Sequence, residues 1–150
     1  MKIGSILENQ KFEKRIAITP EIVKKYVSLG FEVHLSENYG LHLGIKDKEY
    51  SDQGANISKD HKTILSSSDI ILQLGMLDDD KSSLLKEEQI LIGVLDPYNN
   101  KQKLENLAKK KINLFSLELL PRITRAQSMD ILSSQANLAG YKAVIESFAN

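Results

Sequence analysis

The densest group of chemically capable side chains in this 150-residue sequence lies between positions 122 and 133: Arg122, Arg125, Gln127, Asp130 and Ser133. The arginines stand out against the composition. Seventeen of the twenty basic residues are lysine, and Arg15, Arg122 and Arg125 alone carry a planar guanidinium able to bind in bidentate fashion. Guanidinium and glutamine amide groups are planar donors suited to an amide or a phosphate. Elsewhere no complete catalytic set is visible. The eight glycines form no G-x-G-x-x-G, and P-loop, G-x-S-x-G and H-E-x-x-H motifs are all missing. There is no cysteine, hence no thiolate chemistry and no disulfide. His34, His42 and His61 are too scattered for a metal-ligand spacing, so no metal is expected.

Bulk properties narrow the class. Twenty basic residues cancel twenty acidic ones, so no basic excess favours a nucleic-acid partner. No apolar run approaches the roughly 18 residues of a membrane span. The opening MKIGSILENQKFEKR lacks the apolar core of a signal peptide. A cytoplasmic α/β domain is the expectation, at a length that suits a single core.

The elements that must position the 122–133 group follow from periodicity. Lys2–Leu7 reads as a buried strand, and Ile16–Thr19 as a second extended piece. Thr19-Pro20-Glu21 is a helix start, with a Thr cap, Pro at the first helical position and an acid in the first turn. Ile22, Val23, Tyr26 and Val27 recur at helical spacing, Gly30 terminates, and residues 31–35 alternate as a strand. Tyr39–Gly44 reads as a loop, with short helices over Asp47–Gln53 and Ser58–Leu65. The apolar runs Asp69–Leu74, Ile90–Leu95 and Ile112–Ser116 are strands of a parallel sheet. They are separated by a helical turn at Leu84–Glu88 and a helix over Asn100–Lys110. This alternation predicts an open, mostly parallel sheet with helices on both faces, flavodoxin-like, joined by right-handed crossovers.

The last segment differs. Thr124-Arg-Ala-Gln127 fits a capping box, and a long helix is expected from there to about Ala149. At about 100° per residue, Met129, Leu132, Ala136, Ala139, Gly140 and Ala143 share an apolar face of mostly small residues. Gln127, Asp130, Ser133, Ser134 and Asn137 form the polar face beside it. The turn carrying Arg122 and Gln127 lies beyond the carboxyl end of a strand, where open α/β sheets bind ligands.

Pro121-Arg-Ile-Thr-Arg-Ala-Gln-Ser-Met-Asp-Ile-Leu-Ser-Ser-Gln-Ala-Asn-Leu-Ala-Gly-Tyr141 resembles the N-terminal domain of the alanine dehydrogenase / pyridine nucleotide transhydrogenase family, in the form carried by proton-translocating NAD(P) transhydrogenase alpha subunits. Glu13-Lys-Arg-Ile-Ala-Ile-Thr-Pro20 resembles the family's N-terminal motif, so the likeness covers nearly the whole chain.

The resemblance implies two lobes, residues 1–150 forming the first and a Rossmann lobe expected after residue 150. It implies NAD(H) held in the cleft between them, and NADP(H) on a partner domain. Arg122, Gln127, Asp130 and Ser133 match the family's cofactor-contacting positions. Gln127 would align the nicotinamide, Arg122 would meet its carboxamide region, and Asp130 and Ser133 would complete the polar network. Gln127 and Asp130 would thereby serve direct hydride transfer. The implied partners are the Rossmann lobe, the NADP-binding domain, the membrane domain indirectly and, in the parent, a second copy. The implied location is cytoplasmic, peripheral to the inner membrane. An isolated chain of this length would then be inactive, because half of its site is missing.

Two alternatives remain: the N-terminal lobe of an alanine or saccharopine dehydrogenase, and a non-catalytic assembly module using Ala136, Ala139 and Ala143. The alanine dehydrogenase pattern is matched at Arg15. It is broken at Gln73 and Gly75, where that pattern has lysines, and at Asp96, where it has histidine. Arg15 is then expected to tie loops together or to face the cleft.

Overall fold

The computed structural model describes residues 1–149. Six parallel strands form one sheet: β1 (Lys2–Ser5), β2 (Glu32–Ser36), β3 (Ala55–Ser58), β4 (Ile70–Leu72), β5 (Ile90–Gly93) and β6 (Asn113–Ser116). Their spatial order is β3-β2-β1-β4-β5-β6. Without β3 this is the 2-1-3-4-5 order of flavodoxin-like sheets; the edge strand β3 extends it to the doubly wound 3-2-1-4-5-6 order. The register pairs Ile3 with Val33 on one side of β1 and with Ile70 on the other. The chain reverses its winding between β1 and β4, which makes this the topological switch point.

Helices α1 (Pro20–Ser28), α2 (Asp47–Ser51), α3 (His61–Ser67), α4 (Asp79–Ser83) and α5 (Lys101–Lys109) cover the sheet. Two buried clusters separate by face, because alternate strand residues point oppositely. Ile71 joins Ile64, Leu65, Leu91 and Leu107 under α3 and α5. Ile70 and Leu72 pack instead with Val23, Val33, Leu35 and Tyr50 under α1 and α2.

Three expectations need correction. Ile16–Thr19 joins no strand: its Ile18 is fully buried, but the Ala17 N–H donates to the Tyr39 hydroxyl instead of a neighbouring backbone. The helix expected from Ser58 starts at His61, where Asp60 accepts from the Lys62 N–H at 3.0 Å. The residues before it, Ala55–Ser58, form the edge strand β3, whose single buried residue leaves little apolar signal. The helical turn expected at Leu84–Glu88 lies earlier, in α4, where Asp79 and Asp80 complement the positive end of the helix.

The end of the chain is also corrected. Residues Thr124–Met129 form a 3-10 turn with no side-chain cap, so the Thr124/Gln127 capping box is not made. The long helix α6 (Ile131–Ala149) begins later and has no buried residue. Asp130 is its cap, accepting from Leu132 N–H and Ser133 N–H, each at 3.0 Å. A carboxylate next to two free N–H groups outcompetes the Thr124 hydroxyl as a start signal. Among the described residues, no helix is long and apolar enough to cross a membrane.

Candidate functional site

A cleft of about 280 Å³ follows the last strand, lined by Pro121, Arg122, Ile123, Thr124, Ala126, Gln127, Asp130 and Ser133. After β6 the chain makes a 3-10 turn at Leu117–Leu119 and runs extended to Pro121. Pro121 and Ile123 are then pinned, since Ile123 N–H donates to Pro121 O and Ala126 N–H to Ile123 O, both at 2.9 Å. Ala126 is the buried anchor of the following turn, which leaves Gln127 on the exposed side facing the cleft. All four expected site residues therefore meet in one concavity. Arg125 does not line it.

The four side chains divide into two kinds. Ser133 Oγ donates to Asp130 Oδ2 at 2.6 Å while Asp130 caps α6, so these two are engaged with each other. The Ser133 hydroxyl bond, the Ser133 N–H and, to a smaller degree, the Arg122 guanidinium hold the Asp130 carboxyl below the usual carboxylate range. It is an anion at neutral pH and serves as an acceptor. Arg122 and Gln127, in contrast, make no side-chain hydrogen bond among the described residues, and both line the cleft. Free planar donors beside a fixed carboxylate suit a ligand carrying a carboxamide and hydroxyl groups. The nicotinamide nucleoside is such a ligand, so the donor set fits a nicotinamide cofactor.

The positions separating the alternatives lie elsewhere along the carboxyl edge of the sheet. Arg15 is held bidentately by Glu13, with Nε to Oε1 at 2.9 Å and Nη2 to Oε2 at 2.6 Å. That pairing joins residues two apart in one loop and so does not tie two loops together, contrary to the expectation. Gln73 is 3% exposed and bonded into the core. Asp96 is exposed, with a left-handed backbone at φ 46°, and its carboxylate accepts from Asn99 Nδ2 at 2.7 Å.

Sequence reasoning missed Glu8, a carboxylate only 9% exposed at the switch point. It accepts from Leu74 N–H and Gly75 N–H. Its signal was available: a lone acid directly following the apolar strand at residues 3–7.

A doubly wound parallel sheet with a polar cleft beyond the carboxyl end of its last strand is the architecture of an open α/β domain. The chain belongs to the family described as "Alanine dehydrogenase/PNT, N-terminal domain", whose model matches residues 5–139. It is 43% identical over 150 residues to an NAD(P) transhydrogenase subunit alpha protein of Rickettsia prowazekii, covering 97% of this chain and 39% of the relative. It is 44% identical over 151 residues to the Rhodospirillum rubrum protein of the same name, with the same coverage. A solved transhydrogenase from Sinorhizobium meliloti superposes with a TM-score of 0.87 at 40% identity, over 96% of this chain and 43% of that one. An alanine dehydrogenase of Methanococcus maripaludis is 30% identical over 144 residues, covering 96% of this chain and 38% of the relative. The chain is thus a transhydrogenase-type N-terminal domain, and it spans about two fifths of the length of these relatives.

Proposed function

We propose that this chain is the NAD(H)-side lobe of a proton-translocating transhydrogenase, presenting Gln127 to a nicotinamide held largely by a second lobe. The observation that carries the reading is the convergence of Arg122, Gln127, Asp130 and Ser133 on one cleft, with the first two free to donate. A nicotinamide cofactor held there would supply hydride-transfer chemistry, with NADP+ on a partner domain as the acceptor. The chain's own residues would orient it. Gln127 and Arg122 would hold the carboxamide end, and Asp130 would accept from a ribose hydroxyl. Direct transfer needs alignment of two rings and no general base, which accords with the lack of an acid–base pair among the residues lining the cleft.

The bare helix α6 supports the existence of a second lobe. Leu138, Tyr141, Val144, Ile145 and Phe148 are all exposed. At about 100° per residue they share one stripe of the helix. An apolar stripe of this kind ordinarily faces a packed interior. The amino-acid dehydrogenase alternative is disfavoured at Gln73, Gly75 and Asp96, none of which offers the cation or imidazole that a substrate carboxylate and amine would need.

In the full-length protein, Gln127→Asn shortens the amide by one methylene and should slow NADH-to-NADP+ hydride transfer about 10- to 100-fold while leaving NADH affinity nearly unchanged. Stopped-flow absorbance measures the first and equilibrium titration the second. Unchanged transfer would remove the role assigned to Gln127, and amino-acid-dependent NADH formation would replace the reading with the dehydrogenase one.

A further inference from the structure

Open α/β sheets take ligands in the crevice beyond the carboxyl ends of the strands at the switch point, here between β1 and β4. In this chain that crevice has an occupant of its own. Glu8, three residues past the end of β1, turns its carboxylate across the gap to the end of β4. Leu74 N–H donates to Oε1 and Gly75 N–H to Oε2, the latter at 3.3 Å. One carboxylate received by two successive backbone N–H groups is the arrangement a bound anion adopts in a backbone concavity. Beside it lies a cavity of about 190 Å³, with Phe12, Glu13, Met76, Asp78 and Lys81 in its wall.

Among the described residues, no side-chain cation pairs with Glu8. Lys81 is paired with Asp78 at 3.4 Å, Arg15 is paired with Glu13, and Glu13 itself repels Glu8. Burial raises the Glu8 pKa, and the Leu74 and Gly75 amides oppose that rise. A Cβ at Gly75 would lie 3.5 Å from Glu8 Oε2, in ordinary van der Waals contact.

We infer that the Leu74 and Gly75 amides form a carboxylate-binding site that Glu8 fills from within the chain, and that an external monocarboxylate occupies it once the Glu8 side chain is removed. The switch-point crevice is therefore closed to outside anions in the native chain. Ligand chemistry is left to the separate cleft at Gln127.

Acetate is the probe, compared with chloride at equal ionic strength. The variants are Glu8→Gly, which empties the site, and Glu8→Gln, which keeps it filled by an amide of the same shape. Acetate should raise the Tm of Glu8→Gly by about 3 °C and leave the native chain and Glu8→Gln unmoved. In 15N spectra, acetate should shift the Leu74 and Gly75 amide resonances of Glu8→Gly alone. If Glu8→Gly does not fold in chloride, acetate in the refolding buffer should recover folded protein, and no recovery overturns the inference. Equal acetate effects on all three proteins, or none on any, also overturn it.

Discussion

Gln73 and the backbone of Ile6 pair on both edges: Ile6 N–H donates to Gln73 Oε1 and Gln73 Nε2 donates to Ile6 O, each at 3.0 Å. Regular pairing of β1 with β4 covers only Ile3–Ile70 and Gly4–Ile71. Beyond it the strands diverge toward the crevice, and the glutamine amide stands in for the missing peptide group. Its oxygen also lies 3.3 Å from Ser5 Oγ. The side chain thus continues the ladder across the switch point and sets the floor on which Glu8 rests.

Replacing that amide with an apolar side chain of similar size should therefore be costly. Gln73→Leu orphans the buried N–H and C=O of Ile6, at about 1–3 kcal/mol for each group. The expected loss is about 2–4 kcal/mol in urea or thermal unfolding, with the 122–133 cleft unaffected.

One substitution has opposite signs at two glycines. A Cβ at Gly93 on β5 would run into the backbone carbonyl of Gln73, the residue that follows β4. Neither strand can retreat without breaking ladder bonds, so Gly93→Ala should destabilise by about 2–3 kcal/mol. Gly140 sits within α6 with nothing near its missing Cβ. Gly140→Ala should raise helicity by the propensity difference of about 1 kcal/mol. Circular dichroism would show the gain with little change in the main unfolding transition, because α6 buries none of its residues against the sheet.

Two tyrosines in contact make a second contrast. The rings of Tyr39 and Tyr50 meet edge to face at 5.8 Å between centroids. The Tyr39 hydroxyl bonds Ser5 Oγ at 2.7 Å and accepts from Ala17 N–H, whereas the buried Tyr50 hydroxyl has no partner among the described residues. Tyr39→Phe should cost about 1–2 kcal/mol and Tyr50→Phe close to nothing. Burial raises both phenol pKa values, that of Tyr50 to about 12. The folded state thus favours the protonated phenols, and stability falls as pH rises above the ordinary tyrosine value of about 10. Absorbance titration of the native chain minus Tyr50→Phe should show the displaced step.

The legible and illegible regions of the chain separate by the kind of signal each depends on. Strands β4, β5 and β6 were readable because their apolar runs are short, dense and bounded by polar residues. Helix α1 was readable from Pro20 and Gly30; Thr19 holds the cap position, but its side chain makes no cap hydrogen bond. Strand β3 was not, because an edge strand with one buried residue gives no alternation to detect. The buried amides of Gln73 and Gln89 were also invisible: glutamine is usually exposed, and only the fold supplies carbonyls such as Leu65 O and Ser68 O for the Gln89 amide. The cleft residues Arg122, Gln127, Asp130 and Ser133 were found through a motif. Their division into free donors and an engaged pair was not, because it depends on where α6 begins.

That starting point is itself testable. Asp130 caps α6 through Leu132 N–H, Ser133 N–H and Ser133 Oγ, and these bonds depress its pKa. A carboxylate whose folded pKa is depressed stabilises the fold fully above its unfolded value of about 3.9, and the contribution fades as pH falls through the lower folded value. Because α6 has no buried residue, the effect should appear as fraying of the helix and not as global unfolding. Helical ellipticity of the native chain should decline below about pH 4, whereas Asp130→Ala should show lower ellipticity at neutral pH and no such decline. Its neutral-pH deficit measures the capping contribution of the Asp130 side chain. A native chain and Asp130→Ala that lose helicity in parallel on acidification would place the helix start, and with it the geometry of the Gln127 cleft, under a different residue's control.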